Sequence, residues 1–365
     1  MYAATSAIVS FLDYKFANNF ALTSTGPDVY QGSANVVFAS SCGPIAKCFN
    51  ECDDQVNFGY GHLMCVGCVK EMPQDWSTST CKSLKVSSTV TSKSSFENAL
   101  ITGNTINIAI DFKVNAEIVI LDVTGLIVDG HGFMINGGAA NRIFYISNTG
   151  TELMITDLTF TNGYASTASY GGQFGGAVYV GSGVTLTMIG CKLLNNLADA
   201  GYGGALNLGR DLAGSTTGIK VTLTSCTFSG NSVLTNGYGG GLFIGAGVIV
   251  TITDCAFTSN VGAYSGGGIC QYLESTATLT RVTFTSNSAS SYGGGYFMGG
   301  PASCISTLYD CIFTSNTAAT GGRGGGVSLS SNMWCFQSSL ILSYMFTYLF
   351  CVGVAFGLVD VHRGK

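Results

Sequence analysis

The sequence predicts an all-β protein, a parallel β-helix solenoid, on three observations. A motif of an apolar residue, a second apolar residue two places on and an asparagine three further occurs five times: Cys191/Leu193/Asn196, Cys226/Phe228/Asn231, Cys255/Phe257/Asn260, Val282/Phe284/Asn287 and Cys311/Phe313/Asn316. Between the copies lie glycine runs followed by apolar residues, such as GGAVYVG, GGALNLG, GGGLFIG and GGGYFMG. The composition agrees: among 365 residues there are 51 Gly but only 4 Pro, and charged residues make up 10%. That balance fits neither an ordinary helical protein nor a disordered one, and the β-branched and hydroxyl residues favour strands and tight turns.

Each element follows in chain order. Six cysteines, Cys42, Cys48, Cys52, Cys65, Cys68 and Cys81, crowd into the segment 1–90. An even count in so short a stretch favours disulfides formed in an oxidising compartment, with a pairing that spacing does not reveal. A zinc site built on His62, Cys65 and Cys68 is the weaker alternative. Residues 1–12 lack the basic start of a secretory signal.

The stretch 91–103 reads as a short amphipathic capping helix with Ser94 or Ser95 at its N-cap, and the solenoid is expected over 104–330. Within one unit, Leu242–Ile244, 248–253 and 255–258 alternate like strands, so three strands per coil are expected. Leu193, Phe228, Phe257, Phe284 and Phe313 recur at intervals of 27 to 35 residues, a solenoid period with no room for a strand plus a full helix.

Stacked coils turn equivalent residues into files. Cys255 and Phe257 share one strand parity and point inward, giving a thiol file and an aromatic file with Phe228, Phe284 and Phe313. Asn196, Asn231, Asn260, Asn287 and Asn316 fall at a bend, where each amide can bond both the backbone and its own equivalent in the next coil. Glycines at another bend allow positive φ. An earlier, looser copy, Leu158/Phe160/Asn162, has its asparagine one residue early.

Tyr170, Tyr202, Tyr238, Tyr264 and Tyr292 each stand one or two residues before a glycine run, and Arg323 takes the neighbouring place in the last coil. Stacking should align them along one edge, as a structural aromatic file. The second reading is a ligand-binding strip centred on Tyr202, Tyr238, Tyr264 and Tyr292.

At the other end, 340–359 carries no charge over twenty residues, the length of a transmembrane helix. Trp334 would anchor it at the interface. The tail 360–365, with Arg363 and Lys365, sits where cytoplasmic residues belong, which orients the solenoid outward at the cell surface; a secreted form is the alternative.

The pairing of GGA or GGG with F-x-x-N resembles the repeats of chlamydial polymorphic outer-membrane proteins and of protist surface proteins, and the entry segment is similar to pectin-lyase-fold proteins. This resemblance covers about residues 95–330. It implies right-handed coiling and an adhesin-like protein that binds an extracellular glycan or protein. The single apolar span departs from the β-barrel with which the chlamydial proteins are expected to end.

A carbohydrate-active enzyme, a lyase or hydrolase of the same fold, is the competing function. Glycoside cleavage needs converging carboxylates, and a lyase needs a calcium-holding acid cluster beside a base. The eleven acids and seven bases of 104–330 are scattered singly. Asp129-Gly130-His131-Gly132 resembles the Gly-His-Gly of polygalacturonases, yet the partner motifs are missing, so it reads as a turn. No catalytic residue, metal site or cofactor is expected. A net charge of -5 without a basic stripe argues against nucleic acid.

Overall fold

The structure is a computed structural model. It describes residues 87–329 apart from 168, 170–171, 210–217, 273, 300–303 and 320–321, together with the backbone of the strands Ile8–Phe11, Asn35–Phe38, Gln55–Asn57, Leu63–Cys65, Trp334–Gln337 and Leu340–Ser343. Two units divide at Val86 and Ser87. In the first, Ile8–Phe11 pairs in parallel with Asn35–Phe38, and Gln55–Asn57 pairs antiparallel with Leu63–Cys65. Cys65 ends a strand; the other five cysteines of the expected disulfide set lie outside the described residues.

The second unit is a parallel β-solenoid. Its long-strand sheet has ten strands running from Ser87–Val90 to Trp334–Gln337, and a phenylalanine sheet of nine runs from Phe112–Lys113 to Leu340–Ser343. A glycine sheet of eight runs from Ile118–Leu121 to Val327–Leu329. Every pairing within them is to the equivalent strand one coil away and parallel, as in Leu242↔Ile269, Thr251↔Thr278 and Phe257↔Phe284.

A fourth sheet corrects the expectation of three strands per coil. Its six strands, from Tyr164–Ala165 to Thr317–Ala318, hold two residues each and follow the bend asparagines. They are too short to show a period. Their only trace in the sequence is a small or β-branched second residue, and Ala165, Ala198 and Val233 are buried as a cluster of their own.

One strand of the long-strand sheet precedes the short helix in sequence. Ser87–Val90 pairs with Thr105–Ile108, and the helix Lys93–Asn98 lies between them in sequence. Its N-cap is Ser92, not Ser94 or Ser95: the Ser92 hydroxyl accepts from Ser95 N at 3.2 Å and the Ser95 hydroxyl accepts from Ser92 N at 3.0 Å. This reciprocal box satisfies two amides that a start at Ser94 would leave open. Phe96 is fully buried, 5.2 Å from the Phe144 ring, which in turn meets Phe160 edge-on.

At the C-terminal end, Leu340–Ser343 extends the phenylalanine sheet by pairing with Cys311–Thr314. The first four residues of the expected membrane span are therefore strand here, and the rest of 340–359 lies outside the described residues. Among the described residues, no helix is long and apolar enough to cross a membrane.

Two positions in each glycine run explain why glycine stands there. Gly203, Gly239, Gly266, Gly293 and Gly324 all have φ between +59° and +70°, a region costly for residues with a Cβ. The next glycine answers to space instead: a Cβ on Gly267 would lie 2.3 Å from the Ser288 carbonyl oxygen and 2.4 Å from that of Gly294. The outward side of the long-strand sheet carries files of threonines among exposed Ile189, Ile249, Ile305 and Tyr309. Thr187, Thr222, Thr251, Thr278 and Thr307 form one file, and Thr224, Thr253 and Thr280 form the next.

Candidate functional site

Inside the solenoid the repeat residues form continuous files. Phe228, Phe257, Phe284 and Phe313 stack with centroids 4.5, 5.2 and 4.5 Å apart and ring planes within 13°. All four are buried.

Beside them runs the asparagine ladder. Asn196 Nδ2 donates to Asn231 Oδ1 at 3.0 Å, Asn260 Nδ2 to Asn287 Oδ1 at 2.9 Å, and Asn287 Nδ2 to Asn316 Oδ1 at 2.9 Å. The second Nδ2 hydrogen closes the bend inside the stack, as from Asn260 to the Phe228 carbonyl at 2.9 Å. Asn162 is not a member, and its register tells why. Phe160 pairs with Leu193, so Gly163 occupies the ladder position and donates to Asn196 Oδ1 at 2.8 Å, while Asn162 sits at the preceding left-handed corner with φ 49°.

Cys191, Cys226 and Cys255 are buried free thiols, and Cys226 N donates to Cys255 Sγ at 3.3 Å. Cys311 continues the file beyond Val282; burial pushes its thiol up, and it pushes Cys270 up strongly. Buried in this way, these sulfurs pack as small apolar residues.

The tyrosines lie outside the glycine sheet. Tyr202, Tyr238, Tyr292 and Arg323 stand in register, but Ser265, not Tyr264, completes their line: the bridges run Tyr202↔Tyr238↔Ser265↔Tyr292↔Arg323. Tyr264 sits one residue early, and its ring still falls between its neighbours. Successive centroids from Tyr202 through Tyr238 and Tyr264 to Tyr292 are 5.3, 5.3 and 6.0 Å apart. Tyr264 is the most open, 37% exposed, and Tyr202, Tyr238 and Tyr292 are half-buried. Tyr170 lies outside the described residues.

Beneath this file is a layer that periodicity conceals. The middle residues of the glycine-sheet strands, Tyr179, Asn207, Phe243, Cys270, Phe297 and Ser328, pair in one outward column and are nonetheless buried. Tyrosine rings roof them, with Tyr202 4.7 Å from Phe243 and Tyr292 5.8 Å from Phe297. The visible signal is three successive apolar residues in Val178–Val180, Leu242–Ile244 and 296–298, where a half-exposed strand would alternate. Desolvation under this roof pushes the Tyr238 phenol up to about 12, with the neighbouring Tyr272 a smaller cause. Two polar atoms of the layer, Asn207 Oδ1 and Ser265 Oγ, have no hydrogen-bond partner.

Four of the acids, Asp129, Glu117, Asp254 and Asp122, are engaged locally. Asp129 Oδ1 accepts from His131 N at 3.1 Å, and His131 and Gly132 have φ 48° and 82°, so the Gly-His-Gly stretch is a turn. Glu117 pairs with Arg142, Asp254 with Arg281, and Asp122 accepts from Asn148. Among the described residues no group of three potential metal ligands comes together.

In comparison with known proteins, no family model matches the chain, and no curated protein matches it. The likeness to chlamydial and protist repeats rests on the glycine and F-x-x-N motifs alone.

Proposed function

We propose that this chain is a cell-surface solenoid that captures an extended ligand, a glycan or a protein segment, along its tyrosine edge. The observation that carries the reading is the file of partly exposed rings from Tyr202 to Tyr292, set beside backbone that glycine leaves bare. Such a strip offers apolar ring edges and phenolic hydroxyls at one set per coil, a repeat suited to an extended polymer. In this reading 340–359 anchors the protein in a membrane with Arg363 and Lys365 inside. Right-handed coiling and closure of the first coils by the helix Lys93–Asn98 belong to the same proposal. The local engagement of Glu117, Asp122, Asp129 and Asp254 favours binding over glycoside cleavage.

Purified full-length protein, passed over a panel of immobilised polysaccharides and surface proteins, should be retained by at least one without releasing new reducing ends. Changing Tyr238, Tyr264 and Tyr292 together to serine should abolish retention while the strand spectrum persists. Should that triple variant unfold, Tyr264→Ser alone, at the most open ring, should still weaken retention. Retention that Tyr264→Ser leaves unchanged places the binding face elsewhere, and released reducing ends restore the enzyme. For topology, protease added to intact cells should remove residues 1–330 and spare a tag at the C-terminus.

A further inference from the structure

One corner loop differs from the rest. Between Ala165 and Val178 it takes the twelve residues 166–177, whereas the next coils pass the same corner in seven (199–205), eight (234–241), six (263–268) and six (290–295).

The longer loop is stapled from within by Arg142, whose side chain is fully buried. Arg142 Nε donates to the Gly175 carbonyl at 3.1 Å, Nη2 donates to the Gly172 carbonyl, and Nη1 reaches Glu117 Oε2 at 3.0 Å. The Tyr145 and Tyr179 rings lie 5.9 and 5.5 Å from its guanidinium carbon. On the next coil, Gly201 is pressed against the loop so closely that a Cβ there would stand 1.9 Å from the Gln173 carbonyl oxygen. One aromatic of the loop, Phe174, stacks on Tyr202 at 5.5 Å and 17°, adding a ring to the head of the tyrosine file.

Held in this way, the loop leaves an open hollow of about 350 Å³ against the neighbouring coil, lined in part by Thr167, Gln173, Phe174, Gly201 and Tyr202. We infer that this cavity is a subsite for one neutral hexopyranose ring at the head of the tyrosine strip. Its size lies at the low end of small-molecule pockets, roughly 300 Å³ and upward. Its chemistry suits a sugar: aromatic carbon for the C–H face, an amide and two hydroxyls for the ring hydroxyls, and bare glycine backbone for close approach. Among the described residues no lining side chain is charged, and Arg142, which holds the loop, is buried and bonded to Glu117 and two carbonyls. A uronate or sulfated sugar would therefore bring an anion into a site with nothing to neutralise it, which disfavours it.

The inference rests on reading the tyrosine edge as a glycan strip, so the experiment separates the two. Saturation-transfer NMR and calorimetry on the full-length protein would use neutral trisaccharides (cellotriose, maltotriose, mannotriose, chitotriose) with trigalacturonate as the acidic probe. At least one neutral trisaccharide should bind, trigalacturonate should bind at least tenfold more weakly, and Gln173→Ala should weaken the neutral probe about tenfold, the equivalent of one lost hydrogen bond. Thr167→Val serves as a second pocket variant if Gln173→Ala disturbs the loop. Ser259→Ala, exposed and outside both the cavity and the strip, should leave trisaccharide affinity unchanged, whereas Tyr292→Ser should weaken polymer retention. Polymer retention without trisaccharide binding, or with binding indifferent to both pocket variants, overturns the subsite and leaves the strip standing. Trigalacturonate binding as well as the neutral sugars overturns the specificity. Absence of both retention and trisaccharide binding overturns strip and subsite together.

Discussion

Asn231 gives both its backbone N–H and its side-chain Nδ2 to one atom, Oδ1 of Asn260, at 3.1 and 2.9 Å. Asn260 repeats the pattern onto Asn287 at 3.0 and 2.9 Å, so each of these rungs donates its N–H and one Nδ2 hydrogen to the next coil's Oδ1, and its other Nδ2 hydrogen to a carbonyl of the preceding coil. The ladder is polar along the solenoid axis, and no rung is complete until the next coil has docked.

Asn260→Ala should therefore strand Asn231 N, Asn231 Nδ2 and the Phe228 carbonyl in a buried bend, at a cost of about 1 to 3 kcal/mol for the lost partners. Ser259→Ala, next to it but exposed, should change stability by less than about 0.5 kcal/mol. Urea unfolding midpoints of the two variants test the ladder; equal midpoints would remove it as a source of stability.

Phe257 is sandwiched between Phe228 and Phe284 at 4.5 and 5.2 Å. Phe257→Ala opens a cavity in the middle of the stack and should cost about 3 to 5 kcal/mol, read by the same unfolding measurement.

These rows were legible because both Phe257 and Asn260 recur at a fixed offset whatever the loop length between coils. The two-residue fourth sheet was not, since Val261–Gly262 is too short to alternate. Tyr264 looked aligned because its distance from the glycine run resembles that of its neighbours, but register is set by hydrogen bonds and gives that place to Ser265. The loop around Phe174 escaped notice for a different reason. Its meaning lies in what Arg142 ties down 30 and 33 residues away, which no local pattern encodes.

Ser265 is fully buried and its hydroxyl has no partner. Ser265→Ala should raise stability by about 1 kcal/mol, because it removes an unsatisfied polar group without moving the backbone. A lower melting temperature for the variant would show that the hydroxyl is solvated or bonded after all.

Tyr238 supplies a pH signature. Its phenol is pushed up to about 12 from an ordinary value of about 10, mainly by desolvation. For an acid whose folded pKa is raised, the stabilising contribution is complete below pH about 10 and is lost as pH climbs through about 12. Ultraviolet titration near 295 nm should show a late-ionising phase, shared with the neighbouring Tyr272 whose phenol is also raised by desolvation, that shrinks in Tyr238→Phe. A single phase near pH 10 in the parent protein would mean that the roof over Phe243 and Cys270 is open to water.

The threonine files of the long-strand sheet bear on how the molecule stays in solution. Along Thr187, Thr222, Thr251, Thr278 and Thr307 the surface carries hydroxyls and methyls. Lys220 is the one charge in the files beside them, from Thr185 to Ile305 and from Ile189 to Tyr309, and exposed Ile189, Ile249 and Ile305 add apolar area. Charged residues are only 10% of the chain. Colloidal repulsion between copies is correspondingly thin, and such a wall keeps its distance from a second copy through the water its hydroxyls hold. Sodium chloride, which acts by shortening the reach of charge, should have little to screen there, whereas sulfate, which competes for hydration, should drive these faces together at modest concentration.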